Sequence, residues 1–138
     1  MAITTKKVGV KPHTLTHSPR AIVLAGADGI RLRGLTSKID GDARPKQFSK
    51  IFGQRSLLAH TRDRLQPIFS DDRFLFVVTK DHGKFYKEQL ADVDRDRVFE
   101  QPANRGTGRA VIAAPLQLLE YETDPVIGIF PSDHYYTQ

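Results

Sequence analysis

Along the chain, short unbroken apolar runs alternate with stretches in which apolar residues return every three or four positions. Ala21, Ile22, Val23, Leu24 and Ala25 form the first run, the mark of a strand buried on both faces. Residues 26–50 are polar and contain four glycines and Pro45, which predicts a long connection. Ser56 then precedes Leu57, Leu58, Thr61 and Leu65 on one stripe, a helix with a serine cap. Residues 74–78 are Phe, Leu, Phe, Val and Val, a second buried strand that is core and nothing more. Asp81 is placed to cap a helix presenting Phe85, Tyr86, Gln89 and Leu90, and residues 97–100 form a short third strand. Val111, Ala114, Pro115, Leu118 and Leu119 show the clearest helical period, with Pro115 removing one hydrogen bond and bending the helix. Residues 126–130, within the stretch that begins at Pro125, give a fourth strand.

The order β-α-β-α-β-α-β predicts an α/β fold. It implies a three-layer, Rossmann-like parallel sheet with right-handed crossovers and helices on both faces. Ligands of such sheets bind beyond the carboxyl ends of the strands. Those ends are residues 26–31, 79–81, 101–105 and 132–134, and three of the four are polar and rich in Gly, Asn or Asp.

Composition narrows the picture further. A chain of 138 residues, 39% hydrophobic, suits one compact domain with a real core. No apolar run approaches the roughly 18 residues needed to span a bilayer, so no membrane partner is expected. The chain has no cysteine, which excludes a disulfide scaffold, a thiol nucleophile and a cysteine-ligated zinc. That usage fits a reducing compartment, and a cytoplasmic location is expected. Of the net charge of +5, four positive charges belong to Lys6, Lys7, Lys11 and Arg20, with no acid among residues 1–20. A nucleic-acid-binding domain carries its surplus on the folded part, so nucleic acid is not expected as a partner. Residues 1–19 lack periodicity and are expected to form a flexible basic extension, with residues 20–138 as the folded unit. His13 and His17 lie four apart without a third ligand, and are expected to be solvated rather than metal-bound.

The turn after the first strand runs Leu24, Ala25, Gly26, Ala27, Asp28, Gly29, Ile30, Arg31 and Leu32. Glycines there let backbone N–H groups approach a phosphate or a base closely, and Arg31 offers a fork of donors for phosphate oxygens. It is not a Walker A loop, because no Gly-Lys-Ser/Thr follows at the required spacing, nor does it fit G-x-G-x-x-G. Alone, such a loop is an ordinary turn as often as a phosphate site.

Three further motifs accompany it. Pro45, Lys46, Gln47 and Phe48 follow in the same connection; Gln101, Pro102, Asn104, Arg105 and Thr107 follow the third strand; Pro131, Ser132, Asp133 and His134 end the fourth. In order and spacing, the chain from about Ala21 onward resembles the sugar-1-phosphate nucleotidyltransferases. The mannose-1-phosphate guanylyltransferase branch, with its L-A-G-G-x-G-T-R-L, P-K-Q-F and P-S/A-D-H segments, is the most similar.

The resemblance implies the nucleotide-diphospho-sugar transferase fold. The implied reaction transfers a nucleoside monophosphate, GMP from GTP, to a sugar 1-phosphate such as mannose 1-phosphate, releasing pyrophosphate and a nucleotide sugar. On this resemblance Arg31 holds the β and γ phosphates and Lys46 neutralises charge between the two substrates. Asp133 binds Mg²⁺. Gln101, Asn104 and Thr107 lie along the nucleobase opposite Leu24, Ala25, Gly26 and Gly29. Read without it, Arg31 is a surface arginine, Lys46 a loop cation and Asp133 a cap. His134 is left out of the metal site, and Arg109 is expected to face solvent.

The sequence departs from the family pattern at Ala27 in place of a glycine, Ile30 in place of a hydroxyl residue, Gly34 in place of a proline, and Gly108 and Arg109 in place of Ala-Pro. The resemblance covers the family's N-terminal, nucleotide-binding half, so the expected fold is truncated. The sugar pocket and a second metal-binding aspartate would lie beyond it, and a catalytically incomplete nucleotide-binding module is the alternative. A strand left at an exposed sheet edge is expected to be open to self-association.

Overall fold

The computed structural model describes residues 19–136. Four parallel strands, β1 (Arg20–Leu24), β2 (Phe74–Thr79), β3 (Val98–Gln101) and β4 (Ile127–Pro131), pair in the order β3-β2-β1-β4. The chain steps outward from β1 to β2 and β3, then returns to the far side of β1 for β4. The order therefore reverses between β1 and β4, and a crevice opens at the carboxyl ends of strands where that happens.

Period-two alternation sends β1 and β2 side chains to opposite faces. Ala21, Val23, Phe74, Phe76 and Val78 join one core cluster, while Ile22, Leu75 and Val77 join the other. The first face is covered by α2 (Leu57–Leu65) and α3 (Gly83–Gln89), which contribute Leu58, Leu65, Phe85 and Tyr86. The second is covered by α4 (Thr107–Leu119) through Ala110, Ala114 and Leu118. This is the expected three-layer α/β arrangement, and every residue of β2 is buried.

Several elements match the sequence pattern closely. Ser56 caps α2 by accepting a hydrogen bond from Ala59 N at 3.1 Å, and Leu57, Leu58, Thr61 and Leu65 are its buried stripe. α4 continues through Pro115 as one helix. Its buried line is Ala110, Ala114 and Leu118, with Leu119 exposed, one position earlier than the apolar period indicates.

Elsewhere the structure departs from the pattern. Within the connection of residues 26–50 lies an additional helix, α1 (Arg33–Asp40), closed by Gly41 in a left-handed conformation at φ 79°. Asp81 does not cap α3; it sits inside a 3-10 turn, Lys80–His82, and His82 occupies the cap position without a side-chain cap bond. The expected flexible extension falls, except for Pro19, outside the described residues, as do His13 and His17. Among the described residues no helix is long and apolar enough to cross a membrane.

Candidate functional site

At the reversal point lies a cleft of about 290 Å³. Leu24, Gly26 and Ala27 line it from the end of β1, Gln101 from β3, and Pro131, Ser132 and Asp133 from β4. Asn104, Gly106 and Thr107 close it at the start of α4, and Gln47 contributes from the long connection. The N-terminus of a 13-residue helix, with no acidic residue in its first turn, brings positive dipole character to this wall, which favours an anion.

The turn after β1 is held by its carbonyls. Leu24 O accepts from Ser132 Oγ at 2.6 Å and from Ser132 N at 3.1 Å. Gln47 Nε2 donates to Ala25 O at 2.9 Å and to Ala27 O at 2.7 Å. Thr79 Oγ1 donates to Gly26 O at 2.9 Å. Four consecutive carbonyls are thus occupied by side chains from three separate elements. Among the described residues the N–H groups of Gly26, Ala27 and Asp28 have no such partner. A loop anchored through its acceptors presents its donors, and exposed backbone donors in a glycine-rich turn suit phosphate oxygens or nucleobase acceptors.

Two glycines are required by this geometry. A Cβ on Gly26 would lie 2.9 Å from Thr79 Oγ1 and 3.4 Å from Gln101 Oε1, inside the anchoring contacts. Gly29 has φ 57°, and a Cβ there would lie 3.1 Å from the Lys46 backbone nitrogen. Ala27 does not take a positive φ; among the described residues Asp124 is the only non-glycine that does. The alanine therefore carries no left-handed penalty.

Asp133 lines the cleft, and one cation, Lys46, pairs with it. Lys46, at the start of the 3-10 turn Lys46–Phe48, places Nζ 2.6 Å from Asp133 Oδ2, with both side chains half-buried. Among the described residues, no group of three or more His, Cys, Asp or Glu surrounds Asp133 or any other point. Arg31 lies in the exposed 3-10 turn Ile30–Leu32, and its side chain makes no hydrogen bond or ion pair among the described residues.

Of the residues singled out from the sequence, Leu24, Gly26, Gln101, Asn104, Thr107 and Asp133 line the cleft. Ala25 is buried beneath it, Gly29 packs on the Lys46 backbone, and Lys46 joins through Asp133. Arg31 stands outside the lining, and Arg109 is exposed. Sequence reasoning missed the anchoring side chains Gln47, Thr79 and Ser132. Gln47 and Ser132 lie inside the quoted motifs, and Thr79 ends β2 on the ligand side, so their positions carried the signal.

A further polar group borders the mouth. His82 is buried, meets the ring of Phe48 edge-on at 6.0 Å, and places Nε2 3.1 Å from Asp28 Oδ1. Burial pushes its imidazole below the usual range, against the opposing pull of the Asp28 and Asp81 carboxylates. Its Nδ1 is buried with no partner among the described residues, which fits a neutral ring donating through Nε2.

Comparison with known proteins bears on this geometry. The family model described as nucleotidyl transferase matches residues 20–138. Mannose-1-phosphate guanylyltransferase of Klebsiella pneumoniae is 28% identical over 115 residues, covering 82% of this chain and 23% of that protein. The alginate biosynthesis protein AlgA of Pseudomonas fluorescens is 32% identical over 116 residues, with coverages of 82% and 23%. The chain thus spans about a quarter of the length of these relatives. The crystal structure of mannose-1-phosphate geranyltransferase from Thermus thermophilus superposes with a TM-score of 0.71 at 28% identity, covering 86% of this chain and 33% of that one.

Proposed function

Because the chain belongs to the nucleotidyl transferase family, we propose that its cleft binds a nucleoside triphosphate, GTP, for transfer of GMP to a sugar 1-phosphate, mannose 1-phosphate. The observation that carries this reading is the turn after β1, whose carbonyls at 24–27 are all occupied while its amides at 26–28 have no partner among the described residues. The relatives named mannose-1-phosphate guanylyltransferase support the choice of base and sugar.

In the reaction a phosphate oxygen of the sugar 1-phosphate attacks the α-phosphorus of the nucleotide. The bond from that phosphorus to the oxygen bridging to the β-phosphate breaks, and pyrophosphate leaves with the electron pair. The attacking phosphate has a second pKa of about 6 and is ionised at neutrality, so no general base is required. Positioning and charge neutralisation supply the catalysis. The free amides and the start of α4 orient the nucleotide, with Gln101, Asn104 and Thr107 along its base. Arg31, free of other partners among the described residues, swings onto the β and γ phosphates and steadies the leaving pyrophosphate. Lys46 leaves its partner Asp133 to neutralise charge between the two substrates.

The residues present suit a magnesium ion. Asp133 is a single hard oxygen donor at the phosphate end, and Mg²⁺ is commonly held by one or two carboxylates, with substrate phosphates and waters completing its shell. Bound there, Mg²⁺ would screen phosphate charge and polarise the α-phosphate.

Pyrophosphate release from GTP, mannose 1-phosphate and Mg²⁺, lost in Lys46→Ala, is the test. Release that occurs with other nucleotides but not with GTP would change the base. Binding without release would restrict the proposal to nucleotide binding.

A further inference from the structure

The wall of the cleft that carries Asn104 is held by very little. Residues 102–109 are exposed without interruption. Among the described residues, one hydrogen bond alone ties residues 102–106 to another part of the chain, from Asn104 Nδ2 to Asp28 Oδ2 at 2.9 Å. Asn104 Oδ1 in turn accepts from Gly106 N at 3.0 Å, just where Gly106 turns the chain into α4 at φ 86°. The other Asp28 oxygen faces His82 Nε2 at 3.1 Å. His82 is fixed by burial against Phe48, in the turn that also carries Lys46 and Gln47.

We infer that Asp28 is a positioning residue of the nucleotide site: its carboxylate, propped on buried His82, clips the 102–106 segment across the cleft mouth and sets Asn104 and the start of α4 before nucleotide arrives. This assignment rests on the nucleotide-binding reading above. Asp28 does not need to touch the ligand. A carboxylate accepting on both oxygens from groups on two other elements fixes the distance between those elements. The chemistry also sets the direction of the Asn104 amide, because only its nitrogen can donate to a carboxylate, which leaves its oxygen for Gly106 N. A segment ordered in advance does not spend ligand binding energy on its own ordering.

The test is GTP and ATP titration of the full chain and of Asp28→Ala, Asp28→Asn, Asn104→Ala and the Asp28→Ala/Asn104→Ala pair, with amide hydrogen exchange on the unliganded proteins. Loss of one charge-assisted bond predicts about tenfold weaker nucleotide binding in Asp28→Ala. Asp28→Asn should fall between it and the parent chain, because an amide oxygen can still accept one of the two bonds. Since Asp28 acts through Asn104, the double variant should bind no worse than Asn104→Ala. Exchange should quicken at the Gly106 amide, whose acceptor Asn104 Oδ1 is held in place by Asp28, in Asp28→Ala, while the β2 amides hold. Parent-like affinity in Asp28→Ala, losses that multiply to about a hundredfold in the pair, or unchanged exchange at the Gly106 amide would each overturn the assignment while leaving the nucleotide reading intact. A parent chain that binds neither GTP nor ATP overturns the nucleotide reading itself, and this assignment with it.

Discussion

Gln47 anchors two carbonyls of the turn after β1, and truncating it tests that role directly. Its Nε2 serves Ala25 O at 2.9 Å and Ala27 O at 2.7 Å, and the residue is 1% exposed. The two carbonyls dictate the orientation of the amide, whose Oε1 is left buried with no partner among the described residues. Gln47→Ala removes two hydrogen bonds worth about 1 kcal/mol net each and strands two carbonyls at up to about 1–3 kcal/mol apiece. The neighbouring cleft can admit water to those carbonyls, so the lower part of that range applies and the total is about 2–4 kcal/mol.

For a domain of this size that corresponds to a fall in Tm of about 6–15 °C, read by thermal and urea unfolding with far-UV circular dichroism. Gln47→Glu separates hydrogen bonding from packing. It keeps the volume but turns the donor into an acceptor facing two carbonyls, and should cost at least as much. A loss below about 1 kcal/mol in Gln47→Ala, less than the net worth of the two bonds, would show that other groups satisfy Ala25 O and Ala27 O. A large loss of stability with unchanged nucleotide affinity at a temperature where the variant is folded would show that the staple serves the fold and not the site.

Two further outcomes follow from titrating groups. Burial holds the folded-state pKa of His82 below its usual value, with Arg33 adding to the effect and Asp28 and Asp81 opposing it. Its contribution to stability is therefore full above about pH 6.5 and is lost as pH falls through that value toward the lower folded one. His82→Gln should flatten the urea-unfolding stability profile between about pH 7 and 5 relative to the parent chain. Tyr86 is pushed up to about 12, first by burial and then by its hydrogen bond to Glu100. A raised acid stabilises below its unfolded pKa of about 10, and that stability disappears as pH climbs through the folded value. Absorbance titration should show one tyrosine ionising late. Tyr86→Phe should remove that step and cost about 1–2 kcal/mol at neutral pH.

The fold was readable where burial itself writes the pattern. The runs at residues 21–25 and 74–78 pair as β1 and β2, in register from Ala21 opposite Phe74 to Leu24 opposite Val77. Ser56 announced α2 by the chemistry of its cap. Helix α1 left no such trace, because Leu35 and Ile39 are exposed and Thr36 is its only buried residue. Asp81 was a plausible cap by type, yet a 3-10 turn interposed before α3 moves the cap to His82.

The motifs supplied most of the residues around the cleft, but not the bonds that shape it. Gln47 meets Ala25 across 22 positions, Thr79 meets Gly26 across 53, and Ser132 meets Leu24 across 108. Pairings of that kind depend on strand order and turn geometry, which no local periodicity records. The clip formed by Asp28, His82 and Asn104 was hidden for the same reason, since its members lie on three separate connections.

Nucleotide binding by the full chain tests the central claim most directly. It is measured as thermal unfolding with and without Mg²⁺ across GTP, ATP, UTP and dTTP, with Arg31→Ala alongside. A ligand present at 100 times its Kd adds about 2.7 kcal/mol, a rise of several degrees for a domain of this size. The account predicts that rise with GTP, strengthened by Mg²⁺ and reduced in Arg31→Ala. A chain that melts cooperatively at the same temperature with every nucleotide would contradict it.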